Sequence, residues 1–498
     1  MSYPVIFLYN YLPLEILLIG ITLIMLLGIF SSKIVSRFKR LKTRMRIIYG
    51  YIALVSIIIS VILYSYIYSP LDSSHSIALN LNITAFTTGL YYAISFAVII
   101  GVFLSIVEVE LKFRKNYMLF VSLLLINAST FFITAANSLV LIFFGFVIMF
   151  TGINFFIRNF TTKLPVKQKS FINNYLIISS LALSFLFVGF SAHSLSGNSL
   201  LLSIENTTLQ FWEYLSEIFI VIGLLILIGG PPFHFVFFES ENIRFNSITQ
   251  IMISIQKGLA IAFLTRYTVT IADSPLSSVL IWLYTVCGVA YVLWGVLASI
   301  TENRLQKLIH YVSIIFSGII LVILSDLFSS VLAEEIVNLT LKTVSYGILI
   351  FILSITFSIS SISVISKGFK SDKIEVLREV SRNSISQFII LLLNALVLYA
   401  GPLSILIVSQ KIIFPNYLCP RMITTAVILL VGAVFSLIYL YRILKFIFFV
   451  PLQMKFEFSH PEPGVFLASF IAFFLMIIVI IFMKQFLIFC SLIGVNLA

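Results

Sequence analysis

The sequence predicts an all-α membrane protein that crosses the bilayer about fourteen times. Hydrophobic residues make up 60% of the 498 residues and charged residues only 10%, a composition that no soluble core of this size requires. Apolar runs long enough to span a bilayer recur along the whole chain. The basic residues between these runs are distributed unevenly between the two sides of the membrane, as in polytopic membrane proteins.

Each predicted span is a mainly apolar run of roughly 20 residues or more, the length that a transmembrane helix needs. No basic segment and no Arg-rich amphipathic stretch precedes the first run, so we expect a permanent helix there rather than a signal or transit peptide. The fourth and fifth runs are so close that a tight turn must join them. The predicted spans are 12–31, 47–68, 86–108, 117–135, 138–158, 171–191, 211–230, 246–266, 276–300, 305–327, 336–364, 384–414, 421–448 and 464–488.

The charges in the connections test this count, because a wrong number of spans would assign the later connections to the wrong side of the membrane. Connections after odd-numbered spans contain 25 of the 31 basic residues. The positive-inside rule places these connections in the cytoplasm or matrix and both termini on the opposite side. The topology of the basic connections therefore accounts for the net charge of +12. Nucleic-acid binding would need a basic groove on a soluble domain, and the sequence contains no such domain, so we expect no nucleic-acid partner.

Binding motifs for cofactors are missing from the sequence. The three cysteines, Cys287, Cys419 and Cys490, lie in or beside separate apolar runs without CxxC spacing, so they do not indicate a metal site or a disulfide framework. We find no Walker loop, dinucleotide fingerprint, iron–sulfur cysteine set or pair of haem-ligand histidines. Any redox chemistry coupled to this chain is therefore expected in other subunits.

The most informative residue is Lys257, which lies in the middle of the apolar run 246–266. It is about 10 residues from either end, or ~15 Å at 1.5 Å per residue, so its side chain is too short to reach water. Intramembrane charges cost free energy and usually mark an ion path or a buried partner. A desolvated lysine can exchange protons near neutral pH, although a structural lysine capped by hydroxyl or carbonyl groups is the alternative.

Other ionisable residues at or near membrane depth lie mostly in the second half of the chain. Lys342 could instead extend its ammonium to the interface, and His310 is as consistent with a hydrogen-bonded core histidine as with a proton relay. Two carboxylates lie near the start of the seventh span. In addition to Lys257, the ionisable residues at or near membrane depth are His310, Lys342, Lys411, Glu213 and Glu217.

The twelfth predicted span contains a break signal. It has about 31 residues, more than the ~20 that crossing requires, and Ala400, Gly401 and Pro402 lie in its middle. Proline removes a helical hydrogen bond and glycine loosens the backbone, so we expect a discontinuous helix. Such breaks occur where a helix lines a cavity or a protein interior, which makes Lys411, just after the break, a functional candidate.

Several of these motifs, in order across about 116–445, resemble the antiporter-like subunits of respiratory complex I. The segment 229–239, Gly-Gly-Pro-Pro-Phe-His-Phe-Val-Phe-Phe-Glu, is similar to the Pro-Phe-His motif that precedes a helix with a central lysine in that family. The segment 302–314 is similar to the basic start of the family's tenth helix. Further similar segments are 116–120 with 136–139 in the fourth and fifth helices, 401–411 in the broken twelfth and 439–442 at the end of the thirteenth.

The resemblance implies a specific type of subunit. The spacing from His234 to Lys257, and a lysine rather than a glutamate in the twelfth helix, are similar to subunit 2, called N in bacteria. It also implies two inverted five-helix repeats: helices 1–3 over 1–115, a first repeat over 116–270, a second over 271–450 and a last helix over 451–498. The implied activity is proton translocation as a non-redox subunit of NADH:ubiquinone oxidoreductase.

By the same resemblance, Lys257 would store the proton, Lys342 and His310 would relay it, and Lys411 would gate its exit. The chain itself would bind no cofactor and no soluble substrate. NADH, FMN, iron–sulfur clusters and ubiquinone would lie in partner subunits, and its own partners would be other membrane-arm subunits and the lipid bilayer. The many Phe and Tyr residues, 49 and 22, set against 22 Gly and 13 Pro, indicate an AT-rich genome. We therefore expect an organelle-encoded, multi-pass protein of the mitochondrial inner membrane with both termini in the intermembrane space.

The sequence departs from the family pattern at two positions. Alignment on Asn137 and Gly145 puts the family's fifth-helix glutamate at Val147, and alignment on Pro232 puts its seventh-helix lysine at Leu227. Three alternatives therefore remain open: a subunit of a cation/proton antiporter or hydrogenase complex, a stand-alone secondary transporter, and a membrane-arm subunit that no longer pumps.

Overall fold

A computed structural model gives the fold of most of the chain. The structure describes residues 3–34, 39–68, 81, 83–108, 117–161, 166–196, 210–234, 246–272, 274–328, 334–369, 371, 373–383, 387–394, 396–397, 405, 441–447, 449 and 463–481.

Helices make up almost all of the described residues. We number them α1 Tyr3–Ile34, α2 Lys39–Ile67, α3 Ala85–Glu108, α4 Tyr117–Ala135, α5 Leu139–Thr161, α6 Val166–Leu195, α7 Gln210–Ile228, α8 Asn246–Thr270, α9 Ser277–Thr301, α10 Leu305–Ser325, α11 Glu334–Phe369, α12 Val376–Asn383 and α13 Pro463–Ile481. A 3₁₀ turn, Asp326–Phe328, continues α10. The ranges 387–394 and 441–447 are also helical.

The all-α, polytopic fold predicted from the sequence is confirmed. Within the described ranges, 11 helices are long and apolar enough to cross a membrane, and they coincide with the first eleven predicted spans. The fourteenth predicted span corresponds to α13. Most of the twelfth and thirteenth spans, including Gly401, Pro402 and Lys411, lies outside the described residues, so the predicted helix break stays a prediction.

The helices extend beyond the apolar runs at several ends. Helix α2 begins at Lys39, eight residues before the predicted start of its span at 47, and α11 covers 36 residues where 336–364 was predicted. An apolar run marks only the part of a helix at membrane depth. Lys and Arg are good helix formers, so a helix continues into the polar interface where the hydropathy signal ends.

The tight turn predicted between the fourth and fifth spans is confirmed. Only 136–138 separate α4 from α5, and backbone hydrogen bonds from Ala136 N to Phe132 O and from Ile142 N to Ser138 O close the turn. Gly145 brings the two helices together, because a Cβ built on it would lie 2.8 Å from side-chain atoms of Phe132 and Ile133. The pair is therefore a close antiparallel hairpin.

The helices differ in how much of their surface the rest of the chain covers. Every residue in the most apolar window of α8 and of α11 is buried, whereas under half of the corresponding window is buried in α1, α2, α5, α6 and α9. On α9 the exposed large side chains include Trp282, Val286, Leu293 and Leu297, which form one stripe along the helix. The interior helices α8 and α11 are thus the places where polar side chains are kept from lipid.

The chain divides into two compact units. The first contains 1–227 and 242–263, and the second contains 228–241 and 264–498. This division places α1 to α7 and most of α8 in the first unit, and α9 to α13 in the second. The predicted repeat boundaries at 116, 271 and 451 stay predictions.

In the second unit, connections predicted to share one side of the membrane meet at one end. Arg304 pairs with Lys373 in an isolated β-bridge, and Ile374 N donates to Asn303 O over 2.9 Å. Arg442 donates to Asn303 Oδ1 over 2.9 Å and to the carbonyl of Ser299. The short helix α12 follows, and it was not predicted from the sequence because its apolar positions are too few for a span.

Candidate functional site

Lys257 lies in the interior of the first unit. It is 1% exposed, and it follows the start of α8 at Asn246 by 11 residues and precedes the end at Thr270 by 13. At 1.5 Å per residue these distances are ~17 and ~20 Å, so the ammonium is far from both helix ends. In the structure, Lys257 thus lies near the middle of its helix, as the sequence predicted.

Helix α8 is polar as well as buried, which distinguishes it from the lipid-exposed helices. Besides Lys257, its buried polar residues are Ser247, Thr249, Gln250, Ser254, Gln256, Thr265, Arg266 and Thr268. Polar side chains in membrane helices face a protein interior or a water-filled path. The composition of α8 therefore suits a helix that lines such a path.

A side-chain clamp fixes the residue next to Lys257. The Tyr175 hydroxyl on α6 donates to Gln256 Oε1 over 2.5 Å, and Gln256 Nε2 donates to the backbone carbonyl of Leu227 on α7 over 3.2 Å. Both partners and Gln256 itself are buried. Three helices are thus tied together at the depth of Lys257, which limits the positions that its side chain can take.

The two positions where the resemblance predicts ionisable residues, Val147 and Leu227, differ in their surroundings. Leu227 is buried and its carbonyl contacts Gln256, so this position lies close to the Lys257 segment even though the side chain is apolar. Val147 is only partly buried, and the neighbouring Phe146 is the fully buried residue, with its ring 5.7 Å from that of Phe263 on α8. The buried face of α5 is apolar at Ile142, Phe146, Met149, Ile153 and Phe156.

Glu213 and Glu217 are buried near the start of α7, at 8% and 1% exposure. They do not replace a group at Leu227, because ten residues of helix between Glu217 and Leu227 amount to ~15 Å.

His193, in the last turn of α6, was not singled out from the sequence. A Cβ built on Gly189 would lie 2.9 Å from Ile220 N and 3.2 Å from Ser216 O, so α6 and α7 approach closely there. Because the helices are antiparallel, the next turn of α6 places buried His193 at the level of Glu213 and Glu217. The only sequence signal was its rarity, since the chain has 5 histidines.

The proposed relay residues of the second unit are less buried than Lys257. His310 lies five residues into α10 and is partly buried, and its backbone carbonyl accepts a hydrogen bond from Ser313 Oγ over 2.6 Å. Lys342 lies eight residues into α11 and is also partly buried, while its neighbours Thr340 and Thr343 are fully buried. Lys411, the fourth predicted residue, lies outside the described part of the chain.

The Pro-Phe-His motif forms a turn in the second unit after α7. Gly229 has a φ of 70°, in the left-handed region that favours glycine, and the turn continues to His234. The His234 ring lies 4.5 Å from the Trp294 ring on α9. A Cβ on Gly230 would overlap the Tyr291 ring at 1.9 Å, so only glycine fits under that ring. The described part of the motif thus packs against α9. The rest of the segment, residues 235–239, lies outside the described part of the chain.

The chemistry available to these side chains is proton transfer. Lysine, histidine and glutamate each bind and release one proton, and hydroxyl groups of buried Ser and Thr can pass protons between them through water. Among the residues that the structure describes, no three His, Cys, Asp or Glu side chains are grouped to hold a metal ion.

Comparison with known sequences gives no match: no protein-family model and no curated protein is similar to the chain. Solved structures do match. A chain of respiratory complex I from Thermus thermophilus, solved with bound aureothin, is 15% identical with a TM-score of 0.71, and the match covers 95% of this chain and 98% of that one.

Two other complexes contain chains of the same fold. A chain of the membrane-bound sulfane sulfur reductase, an archaeal respiratory membrane complex, is 15% identical with a TM-score of 0.77, over 98% of this chain and 97% of that one. A chain of the Mrp complex from Dietzia sp. DQ12-45-1b is 12% identical with a TM-score of 0.75, again over 98% and 97%. The chain therefore shares its fold, nearly from end to end, with chains of several multi-subunit complexes.

Proposed function

We propose that the chain is a proton-translocating membrane-arm subunit of a respiratory NADH:ubiquinone oxidoreductase, of the subunit 2 type. The observation that carries the proposal is the burial of Lys257 in the middle of α8, a polar helix enclosed by other helices. The fold shared with a chain of complex I over nearly the whole length supports the assignment to a membrane complex.

The proposed role of Lys257 follows from the physics of a buried amine. The ammonium form is costly to bury and the neutral form is not, so a modest change in nearby charge or hydration moves the equilibrium between them. The clamp of Tyr175, Gln256 and Leu227 holds the adjacent backbone in place while this happens. Lys257 would then store one proton and release it when the field from neighbouring groups changes.

The remaining roles complete the proposed path. His310 and Lys342 would relay protons within the second unit, and Lys411 would control their release. The chain would bind no cofactor, and electron transfer from NADH through FMN and iron–sulfur clusters to ubiquinone would take place in partner subunits. We place the complex in the mitochondrial inner membrane, with both termini of the chain on the intermembrane-space side.

A second candidate has support from the comparisons. The TM-scores of 0.75 and 0.77 to chains of the Mrp complex and of the sulfane sulfur reductase are as high as the 0.71 to complex I. A subunit of a cation/proton antiporter or hydrogenase-type complex would have the same fold and the same buried lysine.

Purification through an affinity tag on this chain distinguishes the two candidates. We expect flavin- and iron–sulfur-containing subunits to copurify with NADH-oxidising activity. Copurification of membrane subunits alone, or of iron–sulfur subunits without NADH-oxidising activity, would overturn the assignment to NADH:ubiquinone oxidoreductase.

The pumping role is tested by Lys257→Met in the assembled complex, with protons translocated per electron pair as the readout. Lys307→Met is the matched control, because Lys307 lies near the start of α10 in a partly exposed ion pair, 3.4 Å from Glu302. We expect the ratio to fall for Lys257→Met and to stay constant for Lys307→Met. An unchanged ratio for Lys257→Met, with the complex intact, would remove the pumping role.

A further inference from the structure

The outer face of α2 carries an apolar stripe that begins at an arginine. The exposed fractions of its side chains lie between 38% and 61%, at Ile47, Tyr51, Val55, Ile58 and Ile62. Residues spaced by three or four share one face of a helix. Arg44 is exposed and precedes Ile47 by three residues, so it continues the stripe toward the start of the helix.

Arg44 lies at the depth of lipid head groups. The first span ends at Ser31, and the Ser31 hydroxyl is hydrogen-bonded to the Tyr49 hydroxyl on α2, so the edge of the apolar layer lies near Tyr49. Arg44 precedes Tyr49 by five residues, or ~8 Å along the helix. The head-group layer on each side of a bilayer is ~5–8 Å thick, which places Arg44 in this layer.

The stripe has the length of an acyl chain in one leaflet. From Ile47 to Ile58 it covers 11 residues. At 1.5 Å per residue this is ~17 Å, about half of the ~30 Å hydrocarbon core. A lipid whose head group lies at Arg44 can therefore extend its acyl chain along the stripe.

The end of α2 that bears Arg44 has an excess of positive charge. Seven of the fourteen residues in 33–46 are Lys or Arg, and no Asp or Glu lies between Glu15 and Asp72. The first turn of α2 contains no acidic residue, although the start of a helix favours negative charge. Within the described part of the chain, Arg44 makes no hydrogen bond or ion pair. An anion from outside the chain is therefore the expected partner of Arg44.

Small residues of α2 face the protein instead of the outer surface. A Cβ built on Gly50 would lie 2.5 Å from Ile106 on α3, and one built on Gly20 of α1 would lie 2.8 Å from Ser56. Interfaces between membrane helices are enriched in such small residues. The outer stripe consists of bulky side chains, which suit contact with acyl chains rather than close packing of a further helix.

We propose that this face of α2 binds an anionic phospholipid, with Arg44 holding the phosphate and an acyl chain lying along the stripe from Ile47 to Ile62. A guanidinium donates two parallel hydrogen bonds to phosphate oxygens, which fixes the head group. The surrounding cations select an anionic lipid, because a zwitterionic lipid brings its own cation into a region that is already positive. Lipid binding at this face is independent of the proposed function.

Photo-crosslinking of the purified complex that contains the chain tests this site. The probe is phosphatidylglycerol with a diazirine in one acyl chain, and phosphatidylcholine with the same labelled chain is the zwitterionic comparison. We expect phosphatidylglycerol to label 47–62 severalfold more than phosphatidylcholine does, as measured by mass spectrometry of the labelled peptides. Unlabelled phosphatidylglycerol should compete, whereas inorganic phosphate should not, because it has no acyl chain to occupy the stripe.

The outer stripe of α9 is the internal reference. Trp282 and Val286 on this stripe are 71% and 58% exposed, and no Lys, Arg or His lies in 267–303. Both lipids should therefore label it equally.

Substitution of Arg44 tests the head-group contact. Arg44→Gln should lower labelling of 47–62 by phosphatidylglycerol about fivefold, the contribution of one basic residue near an anionic lipid surface. Arg44→Lys should cause a smaller loss, because it keeps the charge without the paired donors. Lys445→Gln is the matched control, since it removes an exposed basic residue that is predicted on the same side of the membrane. If Arg44→Gln does not assemble, the comparison of the two lipids in the unaltered complex still decides.

Three results would overturn the proposal. Equal labelling of 47–62 by the two lipids would show unselective lipid contact. A lack of labelling by either lipid would show that another subunit covers this face. Labelling that is unchanged in Arg44→Gln would show that Arg44 does not hold the phosphate.

Discussion

Gln256 Nε2 donates to the backbone carbonyl of Leu227 over 3.2 Å and so ties the residue next to Lys257 to the end of α7. A carbonyl in the last turn of a helix has no partner within its own helix, so this bond satisfies a group that would otherwise be buried alone. Tyr175 completes the clamp from α6. The position of Lys257 is therefore fixed by hydrogen bonds to its neighbour as well as by packing.

Gln256→Leu should destabilise the protein and impair proton translocation. The substitution leaves the Tyr175 hydroxyl and the Leu227 carbonyl buried without Gln256, at a cost of roughly 1–3 kcal/mol for each buried group left unsatisfied. Thermal unfolding of the purified complex and protons per electron pair are the measurements.

Gln250→Leu is the control on the same helix. Gln250 is also buried, but its Oε1 makes no hydrogen bond within the described structure, so its loss should cost much less. Equal destabilisation by the two substitutions would show that the clamp contributes nothing.

Gly230→Ala should destabilise the second unit, because a Cβ there would lie 1.9 Å from Tyr291 Cζ and the buried ring would have to move. Overpacking of this kind typically costs about 1–3 kcal/mol. Gly347→Ala is the control, since its nearest neighbour would be the Ile405 Cδ1 atom at 3.3 Å. Unfolding temperatures of the two variants should differ clearly, and Tyr291→Leu should partly rescue Gly230→Ala. A lack of rescue would count against the overlap as the cause.

The sequence predicted the spans well because hydropathy reports directly on burial in lipid. The range 117–135 was predicted from its apolar run and is the helix α4, and the central lysine of α8 was found because a single charge among apolar residues is conspicuous. Helix ends were predicted less well, since Lys39 and Glu334 begin helices outside the apolar region.

The sequence could not predict which residues meet. Gln256 and Tyr175 are 81 residues apart, and Asn127 and Ser95 are 32 apart, and no local pattern links either pair. His193 was missed for the same reason, because its level with Glu213 depends on the close approach of α6 and α7 at Gly189. Polar residues of membrane helices show their role only when the neighbouring helix is known.

Arg442→Gln should weaken the end of the second unit where several connections meet. Arg442 donates to Asn303 Oδ1 and to the Ser299 carbonyl, and hydrogen bonds from a charged group contribute about 1.5–3 kcal/mol. Lys445→Gln is the matched control, because Lys445 is exposed one turn further along the same helical segment. Limited proteolysis near Arg304 and Lys373 should be faster only in the Arg442 variant. Equal cleavage of both variants would contradict the structural role of Arg442.

Leu227→Lys should destabilise the protein and should not create a new proton-binding site. Leu227 is buried, and the buried face of α5 is apolar at Phe146 and Met149, so α5 offers no buried carboxylate to the introduced ammonium. An unpaired charge at membrane depth costs about 3 kcal/mol or more. Leu227→Met, of similar volume and without charge, is the control and should cost little.

The pH dependence of the Leu227→Lys variant identifies the cause. The neutral amine is cheaper to bury than the ammonium, so the loss of stability should be largest at low pH and should shrink as the pH rises. Unfolding temperatures of both variants between neutral and alkaline pH measure this difference. A loss of stability that is independent of pH would indicate a packing defect instead of a buried charge. Wild-type stability with increased proton translocation would show that the first unit still contains a partner for a lysine at this position.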